Sequence, residues 1–115
     1  MQVKIYKAFD LKLESTWRDF EREAVGTPFQ SYLWLSYWQV TVGKPLYSVE
    51  PYIITVKNNE QVLAILPLGI RKSMGISILE WLGGPNADYM GYIFHPDWKW
   101  TNKDIIILWQ EILNQ

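Results

Sequence analysis

The chain has 115 residues, 49% of them hydrophobic, with a formal charge of −1 and no cysteine. This length is one domain or part of one, and the apolar content argues against intrinsic disorder. The balanced charge gives no electrostatic footprint for nucleic acid. Lack of cysteine excludes a disulfide framework, a thiolate zinc site and a cysteine nucleophile. With no apolar leader and no apolar run long enough to span a membrane, we expect a cytoplasmic protein.

Aromatic residues make up 16% of the chain, with 7 Trp and 7 Tyr. These side chains concentrate in cores, interfaces and binding grooves because each combines a large apolar face with a polar group. A short chain buries a small share of its surface and cannot easily hide them all. We therefore expect either a groove or a surface that faces a partner.

The first elements are a short strand over residues 3–9 and a helix that follows Asp10. Ser15 or Thr16 is the predicted N-cap of this helix, and Gly26 with Pro28 is predicted to end it. Its apolar residues recur at helical spacing: Leu13, Trp17, Phe20 and Ala24.

A second helix is predicted over roughly residues 31–42, stopped by Gly43 and Pro45. It is apolar nearly all round, which predicts burial on several sides rather than on one. Two faces can be separated by spacing: Trp34, Trp38 and Val42 form one, and Leu33, Tyr37 and Val40 form the other.

Three or four strands come next, over residues 51–57, 61–70, 76–82 and near 89–94. The strand at 61–70 is apolar on both faces and should lie centrally, with a bulge or an unpaired stretch at Pro67. A last helix begins at a Thr101 cap with Asp104 at its third position. Its predicted apolar stripe is Ile105, Leu108, Trp109 and Ile112. The order β-α-α-β-β-β-(β)-α indicates an α+β fold with a mostly antiparallel sheet.

Three segments together resemble the FemAB-like branch of the GNAT acyltransferase superfamily. Residues 27–38 read TPFQSYLWLSYW and are similar to the second-helix signature of that branch. Residues 63–68, LAILPL, resemble its A-x-x-P-L central strand, and LGGP at 82–85 followed by Asp88-Tyr89 resembles its L-G … D-Y loop. The resemblance implies a GNAT-like partial domain, with residues 1–115 as the N-terminal portion of the first of two such units.

The resemblance also implies a parent N-acyltransferase that uses acyl-CoA, such as acetyl-CoA, or another acyl donor. In this family the second unit binds the donor and the first helps to form the acceptor groove. The junction at residues 95–102 has no glycine-rich loop, and Pro96 lacks a backbone donor, so we expect this chain to bind no acyl-CoA. We also expect no metal site, because His95 is the single histidine and supplies one ligand.

The expected substrate-binding residues are Gln30, Trp34, Trp38, Asp88 and Tyr89. Asp88 and Tyr89 would orient an amine or hydroxyl acceptor; the other interpretation is a turn aspartate with a half-buried tyrosine. Trp34 and Trp38 would line the acceptor groove, or else pack in the core. No catalytic residue can be assigned.

Five further residues have a structural and a functional interpretation. His95 is either a surface histidine or a general base without an identifiable partner. Glu80 is either an outward or edge-strand residue or, if buried, a base. Ser31 fits a helix cap, and Gly83 with Gly84 fits a turn rather than a phosphate loop.

The sequence therefore predicts part of an enzyme that transfers an acyl group to a small-molecule or cell-wall-type acceptor such as a sugar or an amino acid. The fragment alone is predicted to be inactive and to require a C-terminal GNAT-like half. We expect no nucleic acid partner, no membrane span, and self-association through an open sheet edge. The alternative is a noncatalytic, aromatic-rich module that binds carbohydrate or protein.

Overall fold

A computed structural model describes residues 2–24, 30–83, 93–97 and 101–114 of the chain. In those ranges a π-helical turn, Gln39–Gly43, joins α2 to α3. The other elements, in chain order, are β1 (Gln2–Tyr6), α1 (Leu11–Glu21), α2 (Tyr32–Trp38), α3 (Lys44–Tyr47), β2 (Glu50–Asn58), β3 (Gln61–Ser73), β4 (Ile76–Trp81), β5 (Ile93–Phe94) and α4 (Asn102–Leu113). The predicted α+β class with a mostly antiparallel sheet is confirmed.

The sheet has the order β1-β2-β3-β4, with β5 also paired to β3 and every pairing antiparallel. The predicted central position of β3 is confirmed, because β2 takes one edge while β4 and β5 share the other. β4 pairs with residues 68–73 and β5 with residues 64–65, so Leu66 and Pro67 lie between the two pairings.

Of the two predictions for Pro67, a bulge or an unpaired stretch, the bulge is wrong, whereas Leu66 and Pro67 do lie outside the pairings of β3 with β4 and β5. Pairing with β2 runs through Pro67, opposite Ile53, and the register shift falls between Val56 and Lys57 instead. The carbonyl of Pro67 accepts from the Leu82 N–H at 2.8 Å. Since the N–H and C=O of a strand residue point to the same edge, the missing donor of Pro67 faces the gap between β4 and β5 rather than β2.

The sheet separates two apolar cores, and alternate strand residues point into each. Ile53 and Ile65 join Leu13, Trp17 and Leu35 under the α1–α2 layer. On the opposite face Ile54, Val56, Ala64, Leu66 and Leu68 pack with Leu108 and Ile112 of α4. The sheet is therefore covered on both faces, as the apolar sequence of β3 predicts.

The first helix begins about one and a half turns earlier than predicted. Asp10 is its N-cap, with a side-chain oxygen that accepts from the Leu13 N–H at 2.8 Å, so the prediction of Ser15 or Thr16 is wrong. A carboxylate there also interacts favourably with the positive end of the helix dipole. The apolar stripe is confirmed as far as Phe20, whereas Ala24 lies beyond the end of α1 and packs against the same core.

The last helix begins with the predicted capping box. The Thr101 hydroxyl accepts from the Asp104 N–H, and the Asp104 carboxylate accepts from the Thr101 N–H, both at 3.1 Å. Of the predicted stripe, Leu108 and Ile112 are buried, while Ile105 and Trp109 are largely exposed. No helix within the described ranges is long and apolar enough to cross a membrane.

Candidate functional site

A groove runs along α2 and the π-helical turn. It has a volume of about 880 Å³, and its described lining comes from residues 31–42 alone: Ser31, Leu33, Trp34, Tyr37, Trp38, Thr41 and Val42. Residues 31, 34, 38 and 41 recur at intervals of three and four, which places them on one face of a helix. The helix that carries the family resemblance therefore supplies the described wall of a groove.

The start of α2 is fixed by polar contacts from two elements. The Ser31 hydroxyl accepts from the Trp34 N–H at 3.1 Å, which confirms the predicted cap. Glu21 of α1 accepts from the Tyr32 N–H at 3.2 Å. Both contacts satisfy N–H groups that the first turn of a helix leaves without internal partners, so α1 sets the position of the groove.

An aromatic cluster holds α2 against α1. The rings of Phe9, Trp17 and Tyr32 lie 5.5–6.0 Å apart, with Tyr32 edge-on to both of the others. Burial raises the pKa of the Tyr32 hydroxyl, the carboxylates of Glu14 and Asp10 raise this pKa further, and Arg18 opposes them. The Tyr32 hydroxyl therefore resists ionisation.

The predicted end of the second helix at Gly43 and Pro45 is wrong. The Lys44 N–H bonds to the Gln39 carbonyl in a π-helical turn, and helix continues to Tyr47. Pro45 falls in the first turn of α3, where a missing N–H is tolerated. π-Helical turns are rare in proteins, and those that occur are often found at functional sites. This one provides Thr41 and Val42 to the groove.

Gly43 is required in this turn by a close approach of side chains. A Cβ at this position would lie 2.6 Å from both the Trp38 ring and the Gln39 Oε1 atom. The Gln39 side-chain amide is buried, and its Nε2 donates to the Val49 carbonyl at 2.6 Å. Gln39 therefore ties the turn to the segment that leads into β2.

The predicted burial of α2 on several sides is wrong. Tyr32, Leu35 and Trp38 are buried, whereas Leu33, Tyr37 and Val40 are exposed. One side of the helix packs on the sheet. The side that faces away from the sheet is covered less by the described residues than the side that faces it. Its apolar outer residues are thus partly a groove lining, and partly open surface.

The predicted site residues fall in three different places. Trp34 is half-buried and Trp38 is 5% exposed, and both line the groove, so Trp38 belongs to the core and the groove wall together. Gln30 is 2% exposed and is not among the described lining residues. Asp88 and Tyr89 lie outside the described residues.

Sequence reasoning did not select Tyr37, Thr41 and Leu33 as site residues, although all three line the groove. Tyr37 and Leu33 were expected on a separate face from Trp34 and Trp38. The signal available in the sequence is helical spacing, because a groove along a helix is lined by residues of two adjacent faces. Thr41 lies seven residues after Trp34 and three after Trp38, so helical spacing puts it on the same face as both. It is a polar residue on that apolar face, which marks it as a candidate.

The other candidate polar residues have local partners. His95 accepts through Nδ1 from the Asp97 N–H at 3.1 Å. The Arg71 guanidinium donates two hydrogen bonds to the Glu80 carboxylate, at 3.0 and 3.4 Å, and these bonds and the carboxylate charge raise the pKa of Arg71.

Gly83 has a φ of 100°, which fits a turn; Gly84 lies outside the described residues. Within the described ranges, no three metal-binding side chains come together.

Comparison with known proteins gives no match: no protein-family model, curated protein or solved structure is similar to this chain at a significant level.

Proposed function

We propose that this chain is part of an N-acyltransferase, of the GNAT-like and FemAB-like kind, and that it forms the acceptor-binding groove. The observation that carries the proposal is the groove along α2, lined by Trp34, Trp38 and Tyr37. All three lie within residues 27–38, the segment that resembles the second-helix signature of the family. Aromatic faces beside a few polar groups are typical of small-molecule sites.

The groove offers an acceptor both apolar contact and hydrogen bonding. Aromatic rings stack on the apolar face of a sugar or of an amino-acid side chain. The Ser31 hydroxyl accepts from a backbone N–H and keeps its own proton to donate. The Thr41 hydroxyl donates to the Tyr37 carbonyl at 2.7 Å and keeps its lone pairs to accept. An acceptor that carries an amine or hydroxyl beside an apolar face fits this lining.

The start of α4 is a poor fit to the pyrophosphate of acyl-CoA. A helix N-terminus binds phosphate through free N–H groups, but here Thr101 and Asp104 bond to each other's backbone N–H groups. The Asp104 carboxylate also adds a negative charge at that end. This favours a donor site elsewhere in the parent enzyme.

The test is a fluorescence titration of the chain with soluble oligosaccharides, with amino acids and with acetyl-CoA. We expect saturable quenching or a spectral shift with an acceptor, because Trp34 and Trp38 line the groove, and no response to acetyl-CoA. Trp34→Ala should abolish acceptor binding. Trp109→Ala is the matched control, since Trp109 is a half-exposed tryptophan of α4 on the opposite side of the sheet.

Binding of acetyl-CoA with no acceptor binding would contradict the proposed division of labour. Acceptor binding that persists in Trp34→Ala and fails in Trp109→Ala would place the site away from α2. Either result overturns the assignment of the groove.

The alternative function is a noncatalytic module that binds carbohydrate or protein through its exposed aromatic residues. The observation in its favour is that Tyr37, 66% exposed, lies on an apolar outer face of α2. Transfer of a labelled acetyl group to the bound acceptor, measured with the parent protein, separates the two functions. Tight binding without transfer favours the module.

A further inference from the structure

A second concave site lies between α1 and the paired strands β1 and β2, and it gathers positive charge. Its volume is about 260 Å³, and its lining includes Lys4, Lys12, Lys57, Thr55, Asn59 and Glu60. Three lysines therefore line a pocket whose described lining holds one carboxylate, that of Glu60, in a chain whose formal charge is −1. None of these residues belongs to the groove on α2.

The strand register places two of these lysines on the same sheet face. Gln2 pairs with Lys57 and Lys4 pairs with Thr55, so Lys4 and Lys57 are diagonal neighbours, a relation in which residues lie roughly 7–8 Å apart. Like charges so arranged repel one another. Lys12 adds a third ammonium group from the first turn of α1.

Among the residues that the structure describes, none of the three lysines forms an ion pair with a carboxylate. Within the described residues, the ion pairs use other cations: Arg18, Arg22, Lys44 and Arg71. Lys4 lies 4.7 Å from the centre of the Tyr6 ring, which fixes its direction without neutralising it. Thr55, 1% exposed, forms part of the pocket wall, and its hydroxyl donates to the Lys4 carbonyl at 3.4 Å.

We propose that this pocket binds a small phosphate-type oxyanion, either inorganic phosphate or the phosphate group of a monoester. A bound phosphate would relieve the repulsion between Lys4 and Lys57 and accept hydrogen bonds from the lysines and from Asn59. Glu60 works against the anion and limits its affinity. This inference is independent of the acceptor groove and of acyl transfer.

The test is calorimetric titration of the chain with sodium phosphate and with phenyl phosphate at about 0.15 M ionic strength, where distant charges are screened. We expect saturable binding of at least one probe. A stronger response to phenyl phosphate identifies a monoester site, and a stronger response to phosphate identifies a site for the free ion.

Variants of opposite sign make the test specific. Lys12→Gln and Lys57→Gln should each weaken binding about three- to tenfold, and Glu60→Gln should tighten it by a similar factor, as expected for one unit charge near a protein surface. Lys72→Gln is the control because Lys72 is an exposed lysine of β3 outside the pocket, and it should change the affinity less than about twofold.

The proposal is overturned if neither probe binds saturably, or if Lys72→Gln weakens binding as much as Lys57→Gln does. It is also overturned if Glu60→Gln leaves the affinity unchanged, because a site governed by local charge must respond to the loss of its one carboxylate. Amide spectra of each folded variant show whether a lost affinity reflects lost structure.

Discussion

Trp38 has two roles in the structure, and truncation to alanine separates them in magnitude. Its side chain is 5% exposed and packs in the core beneath α2, yet it also lines the groove. A buried tryptophan removes about 200 Å² from water. At about 25 cal/mol per Å² this corresponds to about 5 kcal/mol. Because the surroundings partly relax, we expect Trp38→Ala to lower the free energy of unfolding by about 3–5 kcal/mol.

The assay is urea denaturation followed by circular dichroism, with the unfolding midpoint and slope fitted for each variant. Val40→Ala is the control because Val40 is 72% exposed on the same helical segment; its expected effect is within about 0.5 kcal/mol. Trp34→Ala should cost roughly 1–2 kcal/mol, since its ring is only half-buried.

A Trp38→Ala variant within about 1 kcal/mol of the unchanged chain would refute the placement of Trp38 in the core. A total stability of about 5–15 kcal/mol is usual for a domain, so the expected loss is large but leaves a measurable folded population. A stable variant that also retains full acceptor binding would refute both roles of this residue.

Three further predictions concern local features. Thr101→Ala removes half of the capping box and should cost about 1 kcal/mol by urea denaturation; no loss would contradict the cap. Gly43→Ala should lower stability by about 1 kcal/mol, because the clash with Trp38 outweighs the better helix propensity; a more stable variant would refute this. The folded-state pKa of Tyr32 is raised, so its contribution to stability is complete below pH 10.0 and is lost as pH rises through the folded pKa. Tyr32→Phe should therefore flatten the alkaline decline in unfolding free energy, and identical slopes would contradict the burial of this hydroxyl.

Periodicity predicted the elements of this fold well where one face of an element packs against the sheet. Leu13, Trp17 and Phe20 repeat at helical spacing and are buried, and β3 is apolar on both faces and covered on both. Each pattern is a direct consequence of side-chain geometry along a helix or a strand. The Thr101 cap was equally readable, because its partner Asp104 lies three residues away in the sequence.

The predictions for α2 were wrong where they rested on amino-acid composition, because composition does not determine how the helix packs. An apolar helical sequence indicates burial, but it does not show how many sides of the helix are covered by other residues. Tyr37 and Val40 lie on a side that is exposed. Likewise, Gly43 and Pro45 are strong stop signals in an α-helix. A π-helical turn ends at Gly43 and a new α-helix begins at Lys44, so Pro45 falls in a first turn, where its missing N–H costs little.

The two proposed sites differ in how far a sequence alone could have predicted them. The groove is lined by residues within a dozen positions of one another, so helical spacing brings them together and the pattern is visible on one helix. The lysine pocket joins Lys4, Lys12 and Lys57, which become neighbours only through the pairing of β1 with β2 and the placement of α1 above them. Charge balance over the whole chain conceals this cluster, because the net charge of −1 sets all 11 Lys and Arg against all 12 Asp and Glu without regard to where they lie. Since both sites lie on the α1–α2 side of the sheet but share no lining residue, Trp34→Ala should leave phosphate binding unchanged, and Lys57→Gln should leave acceptor binding unchanged.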